Sequence, residues 1–226
     1  MKEIANHLPK TNNETLKLKS QTAFSKQADT YDESMQSAHA RRLYPHIEHE
    51  VLKAVASLPA PHLLDLGSGT GALSAQIFDS LPHCHLYGID LSPEMVEKAT
   101  KRLETMTDKQ APISFLVGDA EHLPFHDASF DAVWCNDSFH HYPDPKRAAF
   151  EIWRVLKPGG TFVLGDVWQA APARALMNAW IPYSKEGDVR IYSEEELRSI
   201  LGTWFSEIAW KRIGSTACLA TARKEK

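Results

Sequence analysis

The chain has 226 residues, 43% hydrophobic and 24% charged, and 25 Lys and Arg against 29 Asp and Glu give a net charge of −4. That length suits one large domain with one sizeable core, and the slight acidic excess argues against a strongly electrostatic nucleic-acid footprint. The three cysteines, Cys84, Cys135 and Cys218, form no CxxC pair, which argues against a disulfide or zinc framework and fits a reducing compartment. No apolar run approaches the roughly 18 to 20 residues that span a bilayer, and the opening lacks the apolar block of a secretory signal, so no membrane span and a cytoplasmic address are expected.

Residues 1–22 are rich in Lys, Asn and Thr and poor in large apolar residues, a composition that reads as a mobile, disordered tail. Residues 23–226 read as a single domain. It opens with a helical cap over 23–58, where Ile47, Val51, Leu52 and Val55 keep one apolar face and Pro45 is placed in the helix's first turn. Beyond Pro59, short apolar runs alternate with amphipathic ones. Strands are predicted at 62–66, 84–90, 113–118, 130–136, 161–168, 204–212 and 214–222, with helix starts marked by Ser92-Pro93, Asp144-Pro145 and the capping box of Ser193 and Glu196. Five strand-then-helix alternations followed by two adjacent strands predict an α/β fold. Its seven-stranded, mostly parallel sheet carries helices on both faces and a final antiparallel hairpin strand.

The first strand runs into LLDLGSGTG, residues 63–71, with glycines at 67, 69 and 71 just ahead of an amphipathic helix. Glycine lets a backbone turn sharply and approach a ligand closely, and the helix N-terminus behind it offers N–H groups and partial positive charge. Asp90 closes the second strand 19 residues past Gly71, where such folds place an acid on ribose hydroxyls. The same features suit a nicotinamide cofactor, since Gly67, Gly69 and Ala72 match the dinucleotide pattern. Asp65 opposes that alternative, because it would bring negative charge close to a pyrophosphate whereas a ligand carrying an ammonium group would welcome it.

GDAEHLPF (118–125), FDAVWCNDSFHHYPD (130–144) and WRVLKPGGTFVLGD (153–166) then follow in order, placing polar residues at the sheet's carboxyl edge. The ordered set resembles the class I, small-molecule S-adenosylmethionine-dependent methyltransferases, including the menaquinone and ubiquinone C-methyltransferase-like group, over roughly 24–223. The resemblance implies a Rossmann-like fold and S-adenosyl-L-methionine as cofactor. By it, Asp65, Gly67, Gly69 and Gly71 would hold the methionine end and Asp90 the ribose. Leu91 and Met95 would flank the adenine, Asp119 would accept from its amino group, Ala120 would offer backbone, and Asn136 would line the pocket beside the sulfonium. The segment AFSKQADTYDESM (23–35) looks like that family's opening segment, so Tyr31 would form an aromatic wall near the sulfonium.

Methyl transfer from a sulfonium is an in-line displacement for which alignment supplies most of the catalysis, and a base is needed only for an acceptor that holds its proton. Candidate bases cluster at 137–142, with His141 ahead of His140. No metal is expected: the adjacent His140 and His141 side chains diverge, and His46 and His49 have no partnering acid identified. The insertion 167–191 carries an apolar stripe, Ala173, Leu176, Met177 and Trp180, behind Pro172. It is expected to form a helix that roofs the acceptor pocket as part of a lid, with Tyr183, Arg190 and Tyr192 watched for acceptor recognition. Asp166 could face the same cavity or cap its loop. A thiophilic acceptor such as arsenic is disfavoured, since only Cys135 lies near the pocket. The expected function is methyl transfer to a small organic acceptor, with no nucleic-acid partner. The alternatives are an NAD(P)-dependent oxidoreductase and a non-catalytic S-adenosylmethionine-binding regulator.

Overall fold

A computed structural model describes residues 12–106 and 113–226. The strands are β1 (His62–Leu66), β2 (His85–Asp90), β3 (Ile113–Val117), β4 (Phe130–Asn136), β5 (Leu156–Val167), β6 (Ser206–Ile213) and β7 (Ala217–Arg223). They form one sheet in the order β3-β2-β1-β4-β5-β7-β6. β1, β2, β3, β4 and β5 pair in parallel, and β7 lies antiparallel between β5 and β6, as the closing hairpin predicts. β1 lies between β2 and β4, so the strand order reverses beside its carboxyl end, where open α/β sheets leave a crevice for ligands.

Helices α1 (Asn12–Gln27), α2 (Met35–Val55), α3 (Ala72–Ser80), α4 (Pro93–Met106), α5 (Pro145–Val155), α6 (Ala171–Trp180) and α7 (Glu194–Leu201) complete the chain. The three expected starts are capped. Ser92 Oγ accepts from Met95 N at 3.2 Å, Asp144 Oδ1 from Arg147 N at 3.0 Å, and Ser193 and Glu196 close a capping box. No described helix is long and apolar enough to cross a membrane.

Side chains alternate across the sheet. Leu64, Leu66, Val133 and Cys135 join a core with α5 and α7, while Leu63, Ala132 and Trp134 join a second with α2 and α3. Leu43, Ile47, Val51 and Val55 repeat every four residues along α2 and are all buried.

Four expectations change. Residues 12–27 form α1 rather than part of a mobile tail; residues 1–11 of that tail lie outside the described residues. The helix has no apolar face for composition to reveal, and polar contacts hold it. Pro45 sits in the middle of α2 rather than its first turn; it lies on the exposed side, where the carbonyl that loses its bond faces solvent. β5 begins at Leu156 because the turn-like Pro158-Gly159-Gly160 is tied into the sheet, with Gly159 N donating to Lys224 O and Lys224 N to Gly160 O, both at 3.0 Å. The insertion forms α6, but no residue of that helix is buried, and Leu176 and Trp180 are 63% and 66% exposed.

Ile47 seats α2 on the sheet: a Cβ at Gly165 of β5 would fall 2.7 Å from Ile47 Cδ1, so the strand needs glycine there. Ile47→Ala should therefore lower the unfolding free energy by about 2–5 kcal/mol. In urea denaturation this appears as a lower midpoint with an unchanged slope.

Candidate functional site

β1 delivers the chain into a turn that only glycine takes easily: φ is +68° at Gly67, +52° at Gly69 and +73° at Gly71. A Cβ at Gly67 would lie 2.1 Å from Ser138 Oγ, and one at Gly71 would lie 2.9 Å from the Phe115 ring. At Gly69 nothing stands within 4 Å, because that glycine faces an open cleft of about 800 Å³. The loop is tied down by its own donors. Gly67 N and Ser68 N donate to Ile89 O, Gly69 N to Asp90 Oδ2 at 2.9 Å, and Gly71 N to Ser68 O. These four N–H groups are therefore bonded within the protein, and what the glycines give a ligand is space.

The cleft brings together most of the residues singled out from sequence. Gly67, Gly69, Asp90, Leu91, Met95, Asp119, Ala120, Asn136, His141 and Tyr31 all line it. Asp90 also accepts from Ser92 N at 2.9 Å. Burial raises its pKa despite the bonds from Ser92, Gly69 and Leu91. Asp119 lies on the opposite rim. Burial works against its charge, but Lys17 Nζ at 2.7 Å and Glu121 N at 2.9 Å hold its pKa below the ordinary value.

Three of the expected residues stand off the cleft. Asp65 is 2% exposed and faces α3, where Ser74 Oγ donates to it at 2.6 Å; burial pushes its pKa up to about 7. Gly71 packs on α4 through Ala99 and fixes the start of α3. His140 turns the other way, with Nδ1 2.5 Å from Asp166 Oδ1 and its backbone N–H donating to Asp166 Oδ2. Burial alone would lower the His140 pKa, but the charge and hydrogen bond of Asp166 carry it up to about 9. His141 has the opposite fate. Burial and the neighbouring His140 cation push it down to about 3, so a neutral ring faces the cleft at neutral pH. Among the described residues, His140, His141 and Asp188, and likewise Asp137, His140 and Asp166, bring possible metal-donor atoms within 4.8 Å of one another, which the adjacent-histidine argument did not anticipate.

Helix α1 supplies the part that sequence reasoning missed. Lys17, Ser20, Gln21 and Phe24 line the cleft. Lys17 pairs with both Asp119 and Glu121, Gln21 Nε2 donates to Leu91 O at 3.0 Å, and the Phe24 ring meets His141 edge-on at 5.1 Å and Tyr31 at 6.1 Å. Tyr31 is held in place through its neighbour: Asp32 Oδ1 accepts from Thr70 Oγ1 at 2.7 Å and Oδ2 from Arg102 at 2.5 Å. Phe24, in the segment noted for Tyr31, was the only one of the four with a visible signal.

The insertion does not roof the cleft, and none of residues 167–191 lines it. Its tip reaches the site from behind, with Asp188 Oδ1 3.4 Å from His141 Nδ1. Arg190 pairs with Glu196, Tyr192 is buried against Phe139, and Tyr183 is 78% exposed. Asp166 caps its loop through Val167 N as well as holding His140. All three cysteines are buried.

Residues 64–164 match the methyltransferase domain family. The chain is 38% identical over 127 residues to a demethylmenaquinone methyltransferase of Deinococcus radiodurans, covering 56% of this chain and 50% of that protein, so it spans about half the length of this curated relative. The fold is also that of a SAM-dependent methyltransferase, a possible histamine N-methyltransferase, of Thermotoga maritima (TM-score 0.68, 22% identity, 90% of this chain and 99% of that one). It is shared as well by the [4+2]-cyclase SpnF (TM-score 0.68, 23% identity, 80% and 81%).

Because the pKa of Asp65 is raised in the folded protein, the folded state holds the proton more tightly than the unfolded chain does. The stability this gives is complete below about pH 4 and is lost as the pH rises toward 7. Asp65→Asn, which keeps an acceptor for Ser74, should match the wild type in stability at pH 4 and exceed it at pH 8 by a gain on the order of a few kcal/mol, read from urea midpoints across that range.

Proposed function

From the match of residues 64–164 to the methyltransferase domain family, we propose that the protein transfers a methyl group from S-adenosylmethionine to a small organic acceptor. The observation that carries this reading is the single cleft in which a glycine cradle open at Gly69, the acid Asp90 and the Asp119 rim converge on the floor after β4. The residues suit that cofactor in a specific way. Buried Asn136 Oδ1 has no hydrogen-bond partner, and Asp90 still has a lone pair free after accepting from the backbone of Gly69, Leu91 and Ser92.

Asp90 would hold the ribose hydroxyls, Leu91 and Met95 would flank the adenine, and Asp119 and Ala120 would meet its edge. Asn136 would lie beside the sulfonium, with Tyr31 as a wall. Gly67 and Gly69 make room for the methionine end, while Asp65 and Gly71 shape the loop from behind. When bound, the cofactor supplies an activated methyl carbon, so the chain's own task is to align an acceptor in line with it and exclude water. His141 presents a neutral ring to that position, suited to accept a hydrogen bond from the acceptor, while a pKa pushed down to about 3 makes it a weak base toward a proton. The protonated His140, anchored by Asp166, orients the loop and keeps His141 uncharged.

A nicotinamide cofactor is disfavoured, though for a reason other than the charge of Asp65, which is sealed away from the cleft. The N–H groups of Gly67, Ser68, Gly69 and Gly71 are already bonded, and Asp90, Asp119 and Glu121 surround the space, an arrangement hostile to a pyrophosphate.

Calorimetric titration with S-adenosylmethionine, S-adenosylhomocysteine, NADH and NADPH tests the reading: micromolar binding of the two adenosyl ligands alone is expected, and binding of a nicotinamide cofactor instead would overturn it. Asp90→Ala should weaken S-adenosylmethionine roughly 10- to 100-fold, since charge-assisted hydrogen bonds contribute about 1.5–3 kcal/mol each. His141→Ala should bind the cofactor nearly as the wild type does and slow turnover. Equal turnover by this variant across the pH range would remove the role assigned to His141 while leaving the protein catalytic.

A further inference from the structure

We infer that Asp137 anchors the methyl acceptor, and that the acceptor it selects is a small aromatic molecule carrying an O–H or N–H donor at or beside the atom to be methylated. The inference rests on the methyltransferase reading and adds to it the chemistry of the second substrate.

Asp137 follows the last residue of β4 and lines the cleft. Its backbone is left-handed at φ +52°, an uncommon state for a residue other than glycine, and its N–H is bonded to Gly165 O at 2.7 Å. The side chain is fixed as firmly. Its Oδ2 lies 2.9 Å from His39 Nδ1, and His39 Nε2 lies 3.3 Å from Thr216 O, so α2 and the β6–β7 turn together set the plane of the carboxylate. The other oxygen, Oδ1, has no hydrogen-bond partner, although the side chain is only 10% exposed. A buried polar group held this rigidly and left unsatisfied marks the place of a missing partner.

A carboxylate oxygen only accepts hydrogen bonds, so the partner must donate. An acceptor bearing its own carboxylate would set like charge against Asp137 and is disfavoured. The rings of Phe24, Tyr31 and Tyr142 and the Pro143 ring border the same space, which suits a flat, apolar body attached to that donor. His141 lines the cleft beside them and is free to take a second contact from the same group.

The cofactor's own ammonium group is the competing partner for Oδ1, and S-adenosylhomocysteine carries that ammonium without the methyl, so it separates the two. Binding of 1-naphthol, 1-naphthylamine, 1-methoxynaphthalene and 1-naphthoate would be measured by equilibrium dialysis against wild type, Asp137→Gly and Asp137→Asn, each saturated with S-adenosylhomocysteine. Glycine relieves the positive φ while deleting the carboxylate, and asparagine tolerates the same φ while keeping an acceptor oxygen. In the wild type, the naphthol and the amine should bind at least about tenfold tighter than the methoxy compound, with the naphthoate weakest. Asp137→Gly should bring the naphthol and methoxy compounds within about threefold of each other, and Asp137→Asn should keep the donor preference and relax the discrimination against naphthoate.

No donor preference in the wild type, or a preference that survives in Asp137→Gly, overturns the inference and leaves the methyltransferase reading standing. An S-adenosylhomocysteine affinity that falls tenfold or more in Asp137→Gly assigns Oδ1 to the cofactor and also overturns it. Failure of wild type to bind S-adenosylhomocysteine at all overturns the methyltransferase reading, and this inference with it.

Discussion

The left-handed backbone between β1 and α3 is the constraint on which the rest of the site depends. Three positive φ angles within five residues fold the chain tightly enough that Gly67 and Ser68 both bond to Ile89 O and Gly69 reaches Asp90. The turn thereby locks the ends of β1 and β2 together, and Gly67 lets Ser138 approach from beyond β4. Asp90, the rim after β3 and the floor after β4 face a common space because the loop leaves no room for anything else between them. In this chain, then, the glycines' main contribution is close approach of neighbouring segments, with the loop's donors turned inward.

Around that space the acids are held in several different ways. Asp65 is sealed behind the loop with Ser74, and burial outweighs the Ser74 hydrogen bond in raising its pKa. Asp119 is kept ionised by Lys17 from another helix. Asp166 is matched to His140 and Asp137 to His39, each in a short pair with an imidazole. The result is a paired perimeter around a cleft whose remaining negative group, Asp90, sits where burial has raised its pKa. The cation at His140 has a further effect, because it helps keep the adjacent His141 neutral; two neighbouring histidines therefore acquire opposite states from one carboxylate.

The sheet was legible because its signals are local and redundant: apolar runs of strand length, capping residues at three helix starts, and glycines where φ turns positive. Most cleft residues were legible for the same reason, as they follow directly on the carboxyl ends of β1 to β4. Asp65 shows where that reasoning ends. Its place beside the glycines was readable, but the side to which it points follows from the alternation of the strand, which sets residues 63 and 65 on the α2 and α3 face. The α6 stripe misled in the opposite sense, since periodicity identifies an apolar face without saying what covers it, and Leu176 and Trp180 remain exposed.

Helix α1 was illegible for a deeper physical reason. A helix that packs through apolar burial must carry an apolar stripe, as α2 does with Leu43, Ile47, Val51 and Val55. α1 is held instead by Lys17 to Asp119 and Glu121, by Gln21 to Leu91 O and by Ser25 to Ser92, with Phe24 as its ring contact at the cleft. Contacts of this kind are individually worth about 1 kcal/mol or less at a partly exposed site, and each bonding group has water as a ready substitute. A segment attached in this way covers the cleft while adding little to the stability of the fold. For the wall of a site that must admit and release its ligands, weak polar attachment is the physically suitable kind, and it leaves no periodic trace in the sequence.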